Sequence, residues 1–184
     1  MTPSRYSYAM VAIVKSPNPV LRAHAHKVTH AQIGSPELTK VIAGMKQALS
    51  KERHGVAIAA PQIGVSLRLF VVAAQVFAIQ EEEDFDAAKH VDHVYINPEI
   101  ISRSRKHTLM NEGCLSVSST EGTMVWGEVS RAEKVRMSAL DEFGKKHLFG
   151  ASGLLAQVFQ HEVDHLDGIL YIDKAAHLYE EKAE

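Results

Sequence analysis

Apolar residues recur at two different periods along this chain, and the changes between them mark its elements. Ser35-Pro36-Glu37 reads as a helix N-cap, a first-turn proline and a first-turn acid, and Leu38, Val41, Ile42, Met45 and Leu49 then follow at helical spacing. This predicts an amphipathic helix that stops by Gly55. A second helical stripe, Leu154, Leu155, Val158, Phe159, Val163 and Leu166, is apolar enough for a central packed helix ending near Gly168. Between them the pattern is strand-like. Leu67 to Ala74 reads as a buried strand, and Val94-Tyr95-Ile96-Asn97-Pro98 as another, ended by its proline. Lys134 to Leu140 sets Val135, Met137 and Ala139 against Arg136 and Ser138, and the turn Asp141 to Gly144 leads to a short strand at His147 to Phe149. The acidic stretch Gln75 to Asp92 is expected to be a solvated loop, and the polar residues from Asp173 onward a short helix or frayed chain. Ser16 to Arg22, with two prolines, favours a turn or extended wrap. Strands that come in groups point to an α+β fold rather than a doubly wound sheet. We expect an N-terminal extension over residues 1–9, one domain over 10–172 and a tail over 173–184, without repeats or linkers.

Bulk properties narrow the function by exclusion. The 184 residues are 46% hydrophobic and 23% charged, enough for one real core. A formal net charge of -2 gives no global attraction to nucleic acid or to an anionic membrane, so neither is expected as a partner. No apolar run approaches the about 18 residues of a membrane span, and the apolar run from Met10 to Val14 is too short for a signal peptide. A lone cysteine, Cys114, cannot form an internal disulfide, which favours a reducing compartment; the expected location is the cytoplasm.

The chemistry concentrates in His161-Glu162-Val163-Asp164-His165. On a helix the two histidines share a face one turn apart and can offer two imidazoles to one metal ion, with Glu162 beside them to take a proton from a metal-bound water. The same residues on a solvated helix face would be inert, so a third ligand must decide. The continuation H-E-x-x-H-x-x-G-x-x-H places Gly168 in register but ends on Tyr171, which closes that route. Little chain follows His165 to supply a downstream acid. Cys114 remains, in Asn111-Glu112-Gly113-Cys114-Leu115-Ser116, where Gly113 is expected to leave the backbone around the thiol open. Cys/His/His with one open position is a known catalytic set. His24, His26 and His30 lack acidic or thiol neighbours and read as surface residues.

Three segments together carry a family resemblance. Gly55-Val56-Ala57-Ile58-Ala59-Ala60-Pro61-Gln62, Glu112-Gly113-Cys114-Leu115-Ser116 and His161-Glu162-Val163-Asp164-His165 resemble, in order and spacing, the three signature motifs of the peptide deformylases. The resemblance implies a peptide-deformylase-like α+β fold, with small antiparallel or mixed sheets packed around the central HExxH helix. It implies one divalent metal ion held by Cys114, His161 and His165, in such enzymes often Fe(II), with Zn(II), Ni(II) or Co(II) also suited to the ligands. By the same carry-over Glu162 is general base and acid, and the Gln62 amide and the Leu115 backbone N–H stabilise the oxyanion as an N-formylmethionyl chain loses formate. Substrate would lie against Gly55, Val56, Ala57, Met110, Glu112 and Gly113, with its methionine among Val56, Leu154, Gln157, Val158 and His161. Asp164 and Arg131 would support the site through a charge-assisted bond. A monomer is expected, with the ribosome as a transient partner, although the tail is short and acidic where some relatives carry a basic helix for the ribosome.

The chain departs from the family pattern at several points. Ala57 stands where a second glycine is usual, Ser118 where a proline is, Glu121 where a basic rim residue is, and Gln157 where the pocket wall is usually apolar. These departures leave room for a deformylase relative with an altered N-blocked substrate. A metallopeptidase and a non-catalytic metal or redox module are the readings from other classes.

Overall fold

A computed structural model describes residues 12–52, 55–119 and 123–180. The expected extension 1–9, the start of the family resemblance at Met10, Arg53, His54, Glu121 and the last four residues lie outside the described residues.

Three α-helices, four short 3-10 turns and two antiparallel sheets are found among the described residues: α1 (Pro36–Leu49), α2 (Ala74–Glu81) and α3 (Gly153–Leu166), with β1 (Ala57–Ala59), β2 (Leu69–Val72), β3 (His93–Arg103), β4 (His107–Ser118), β5 (Met124–Ala132), β6 (Lys134–Leu140), β7 (Lys146–Ser152) and β8 (Leu178–Glu180). The larger sheet runs β1-β2-β3-β6-β7 and the smaller β4-β5-β8. Every ladder is antiparallel; the only parallel pairing described is the isolated bridge from His26 to Leu67. The predicted α+β class therefore holds, in its antiparallel form.

Alternation along the strands explains the apolar runs seen in the sequence. Ala57, Ala59, Phe70, Val72 and Tyr95 face one core that includes Val158, Phe159, Val163 and Leu166 of α3. Their neighbours Ile58, Leu69, Val71, Val94 and Ile96 face the opposite core with Leu38, Val41, Ile42 and Met45 of α1. The β1-β2-β3 part of the sheet is thus covered on both faces, so its strands need no polar side. Tyr95 packs against Phe70 and edge-on to Phe159, with ring centroids 4.9 and 5.1 Å away. The N-cap of α1 is as predicted, Ser35 Oγ accepting the Leu38 N–H.

Several predicted elements are corrected. The loop expected over 75–92 begins with α2, whose Val76 and Ala78 are buried. Its cap comes from the far end of the same stretch, where Asp92 accepts the Ala74 N–H at 2.9 Å. The strand expected to end at Pro98 continues to Arg103, because Asn97 adopts a left-handed backbone (φ 51°) and the β3–β6 register shifts between Ile96 and Glu99. The Asn97 side chain bonds both the N–H and the carbonyl of Val28 at 2.8 Å, which holds that kink. The expected helical or frayed tail instead pairs as β8 along β5 from Val125 to Gly127. A turn opens at Ser16 as expected, but Pro19–Arg22 forms a short 3-10 helix capped by Asn18 rather than extended chain, while the strands over 134–140 and 146–152 agree with the pattern, the last being longer than expected.

Gly168 ends the α3 segment where residues 22–23 cross it. Its φ is 74°, and a Cβ there would lie 2.6 Å from the Arg22 carbonyl oxygen. Gly168→Ala should therefore destabilise the fold by about 2–4 kcal/mol in chemical denaturation. Gly150→Ala, where a Cβ meets open space, should stay within about 0.5 kcal/mol.

Candidate active site

Helix α3 delivers three of the chemical side chains to one place. Its apolar stripe is buried against the larger sheet, which turns His161, Glu162 and His165 toward β4. The two imidazole centroids are 4.9 Å apart. Cys114, on β4, brings Sγ to 3.2 Å from His165 Nε2, and one ligand atom from each of Cys114, His161 and His165 lies within 4.8 Å of the others. The β4–β5 register breaks between Gly113 and Ser118, which takes Cys114 and Leu115 out of the regular ladder. Gly113 has a role beside the open backbone expected of it. It sits opposite Trp126, whose ring a Cβ would meet at 3.1 Å, so the glycine permits close approach of that indole.

A buried charge network holds this arrangement. Arg131 on β5 donates from Nε and Nη2 to both oxygens of Glu112, at 2.7 and 2.8 Å, and from Nη1 to Asp164 on α3 at 2.6 Å. Lys174 also donates to Asp164, at 2.6 Å. The predicted Arg131–Asp164 contact is thus present, and Glu112, read from the sequence only as a substrate contact, proves to be its hub. Glu112 Oε2 lies 2.9 Å from His161 Nδ1, so Nδ1–H donates to the ionised carboxylate and Nε2 is left as the nitrogen whose lone pair can bind a metal. Burial alone would raise the Glu112 pKa, but Arg131 and His161 outweigh it and hold the carboxyl down at about 2.

Glu162, Cys114 and His161 are shifted by burial acting against neighbouring charge. Burial pushes Glu162 up to about 7, against the opposing pull of His161 and His165. The Cys114 thiol is raised by burial but held well below its ordinary range by His165 and His161. Burial lowers His161, while Cys114 and Glu112 raise it well above the usual imidazole value.

Gln62 reaches the same point from the turn after β1. Its Oε1 accepts the Ala59 N–H at 2.8 Å, which aims Nε2 at Cys114 Sγ (3.5 Å) and Ser116 Oγ (3.3 Å). A cavity of about 240 Å³ opens beside these groups. Gly55, Val56, Ala57, Glu112, Gly113, Leu154, Gln157 and Val158 line it as expected, together with Gln62, Cys114, Leu115, His161 and Glu162. Met110 does not. It pairs with Val129 farther along β4, and Asn111 lines the cavity in its place. Asn111, Met124 and Trp126 were missed in the sequence; Met124 and Trp126 come from β5, and only the strand register brings them to the rim.

The residues present fit a divalent metal. A thiol and two imidazoles converge with their ligand atoms in one cluster, and the carboxylate beside them keeps a buried oxygen, Glu162 Oε2, without a hydrogen-bond partner. A second grouping, Glu81, Glu83 and His90, differs in kind: Lys89 forms ion pairs with both exposed carboxylates and already compensates their charge.

Comparison with known proteins leads to one family and one fold. The profile of the polypeptide deformylase family matches residues 10–181. The chain is 42% identical over 170 residues to a peptide deformylase of Symbiobacterium thermophilum, covering 92% of this chain and 69% of that protein. It is 38% identical over 175 residues to one of Rhizorhabdus wittichii, covering 94% and 90%. The fold is similar to the Met-Ala-Ser-bound crystal structure of the class I type b peptide deformylase from Acinetobacter baumannii, with a TM-score of 0.76, 31% identity, and 90% and 98% of the two chains covered. It is equally similar to a plant peptide deformylase, PDF1B (TM-score 0.76, 29% identity, 94% and 84% covered).

Glu112→Gln keeps the shape of the hub but loses the charge that orients His161. Metal affinity, measured by competition with a chelator, should fall about 10- to 100-fold. Unchanged affinity would show that Glu112 does not position the imidazole.

Proposed function

The chain belongs to the polypeptide deformylase family, whose members are metal-dependent enzymes, and from that premise we propose that it removes the formyl group from N-terminal formylmethionine through Cys114, His161, His165, Glu162, Gln62 and Leu115. The observation that carries the assignment is the convergence of Cys114, His161 and His165 beside the unpartnered Glu162 oxygen at the end of a cavity.

Cys114, His161 and His165 would hold the ion, which when bound supplies a Lewis acid that makes water nucleophilic near neutral pH. Fe(II) is our choice for the cell, with Zn(II), Ni(II) or Co(II) able to replace it on this ligand set. Glu162 takes the proton from the attacking water and returns one to the leaving amine, so water and the formamide become formate and a free α-amino group. As negative charge develops on the formyl oxygen, Gln62 Nε2 and the Leu115 N–H donate to it. Ala59 fixes the Gln62 oxygen beforehand, so the amide only exchanges its contact with Cys114 or Ser116 for the formyl oxygen as the charge appears. The peptide lies extended across Gly55, Val56, Ala57 and Gly113, with its first side chain among Val56, Leu154, Gln157 and Val158. Arg131 and Asp164 keep α3 and β5 in register with each other. We take residues 10–172 as one catalytic domain, in a cytoplasmic monomer that meets its substrates in transient contact with the ribosome. The free, buried Cys114 is in keeping with a reducing compartment.

The metal-loaded protein should release formate from formyl-Met-Ala-Ser and leave an unblocked peptide intact. Cleavage of internal peptide bonds would instead establish a metallopeptidase. Glu162→Ala should retain its metal while turnover falls about 100- to 10,000-fold. Gln62→Leu should lower kcat about 100- to 1,000-fold, with a smaller change in KM. Near-native turnover in either variant would remove that residue from the mechanism.

A further inference from the structure

Gln157 lies one helical turn before His161 and lines the cavity beside the apolar side chains of Val56, Leu154 and Val158. Its Nε2 donates to the Asn111 carbonyl at 2.8 Å. This bond runs next to the contact between His161 and Glu112, so two successive turns of α3 are tied to two successive residues of β4. The amide is therefore held in place by the same strand that orients the metal-site imidazole. An amide has two N–H groups and a carbonyl oxygen. Among the described residues, only the Asn111 carbonyl bonds to the Gln157 side chain, which leaves one N–H and Oε1 available.

That capacity has a chemical consequence. The methionine thioether is a weak acceptor and no donor, so it makes little use of a fixed amide. A side chain of the same length ending in a sulfoxide can accept from the spare N–H, and one ending in an amide can pair with Oε1 as well. In a wholly apolar pocket such ends would lose water without replacement and be rejected.

We infer that Gln157 determines first-residue specificity by admitting methionine-length side chains with a polar end, methionine sulfoxide and glutamine, alongside methionine. The inference rests on the deformylase reading above and concerns only the side chain its pocket receives.

The test is kcat/KM for formate release from formyl-Met-Ala-Ser and from its sulfoxide and glutamine counterparts. Wild type, Gln157→Leu and Gln157→Met are compared with metal content determined for each, the second variant guarding against poor folding of the first. In both variants the preference for methionine over the polar side chains should rise about tenfold, through loss of activity on the polar substrates rather than gain on methionine alone. Formate release with the same preference in all three proteins would overturn this inference and leave the deformylase reading intact. No formate from any peptide with metal-loaded wild type would overturn both.

Discussion

The site depends on the Glu112 carboxylate, buried between Arg131 and His161. It links strand β4, strand β5 and helix α3 at one point, with Asp164 and Lys174 completing the charge balance. Such a buried network is weak as a source of stability, because desolvating its members costs about as much as their attraction returns. Its effect is positional. With Nδ1 of His161 committed to Glu112, Nε2 is the nitrogen that faces Cys114 and His165, and no rotation of the ring is needed for a metal to be bound.

The rest of the fold serves that geometry. Phe159, Val163 and Leu166 seat α3 on one face of the larger sheet while α1 covers the other. Leu21, Val117, Val129, Leu170 and Tyr171 enclose Cys114 from the side of the smaller sheet. Tyr171, the residue that excluded a third histidine, is buried and donates its hydroxyl to the Val125 carbonyl at 2.6 Å. Its ring lies alongside His161, with centroids 6.1 Å apart. The wall of the site is therefore structural where another metallohydrolase class would place a ligand.

Much of this was legible in the sequence, and the limits have physical causes. The i, i+4 spacing of His161 and His165 needs only a helix, and that helix announced itself through its apolar stripe. Cys114 and Gln62 followed from the need for a further ligand and from the resemblance to known motifs. The part Glu112 plays in the charge network was not legible because its partners lie 19 and 49 residues away, across a strand pairing that local pattern does not encode. The same limitation hid Asn111, Met124 and Trp126 as lining residues. Helix α2 is short and capped by Asp92 from the other end of its loop. β3 passes Pro98 only because Asn97 is held left-handed by Val28, nearly seventy residues earlier in the chain. In each case a long-range hydrogen bond overrode a local rule.

X-ray absorption spectroscopy of the protein loaded with one equivalent of Co(II) or Zn(II) tests the central claim most directly. The account predicts a coordination sphere with one sulfur and two imidazole nitrogens, the sulfur lost in Cys114→Ser. A sphere of nitrogen and oxygen alone in the wild-type protein would contradict it.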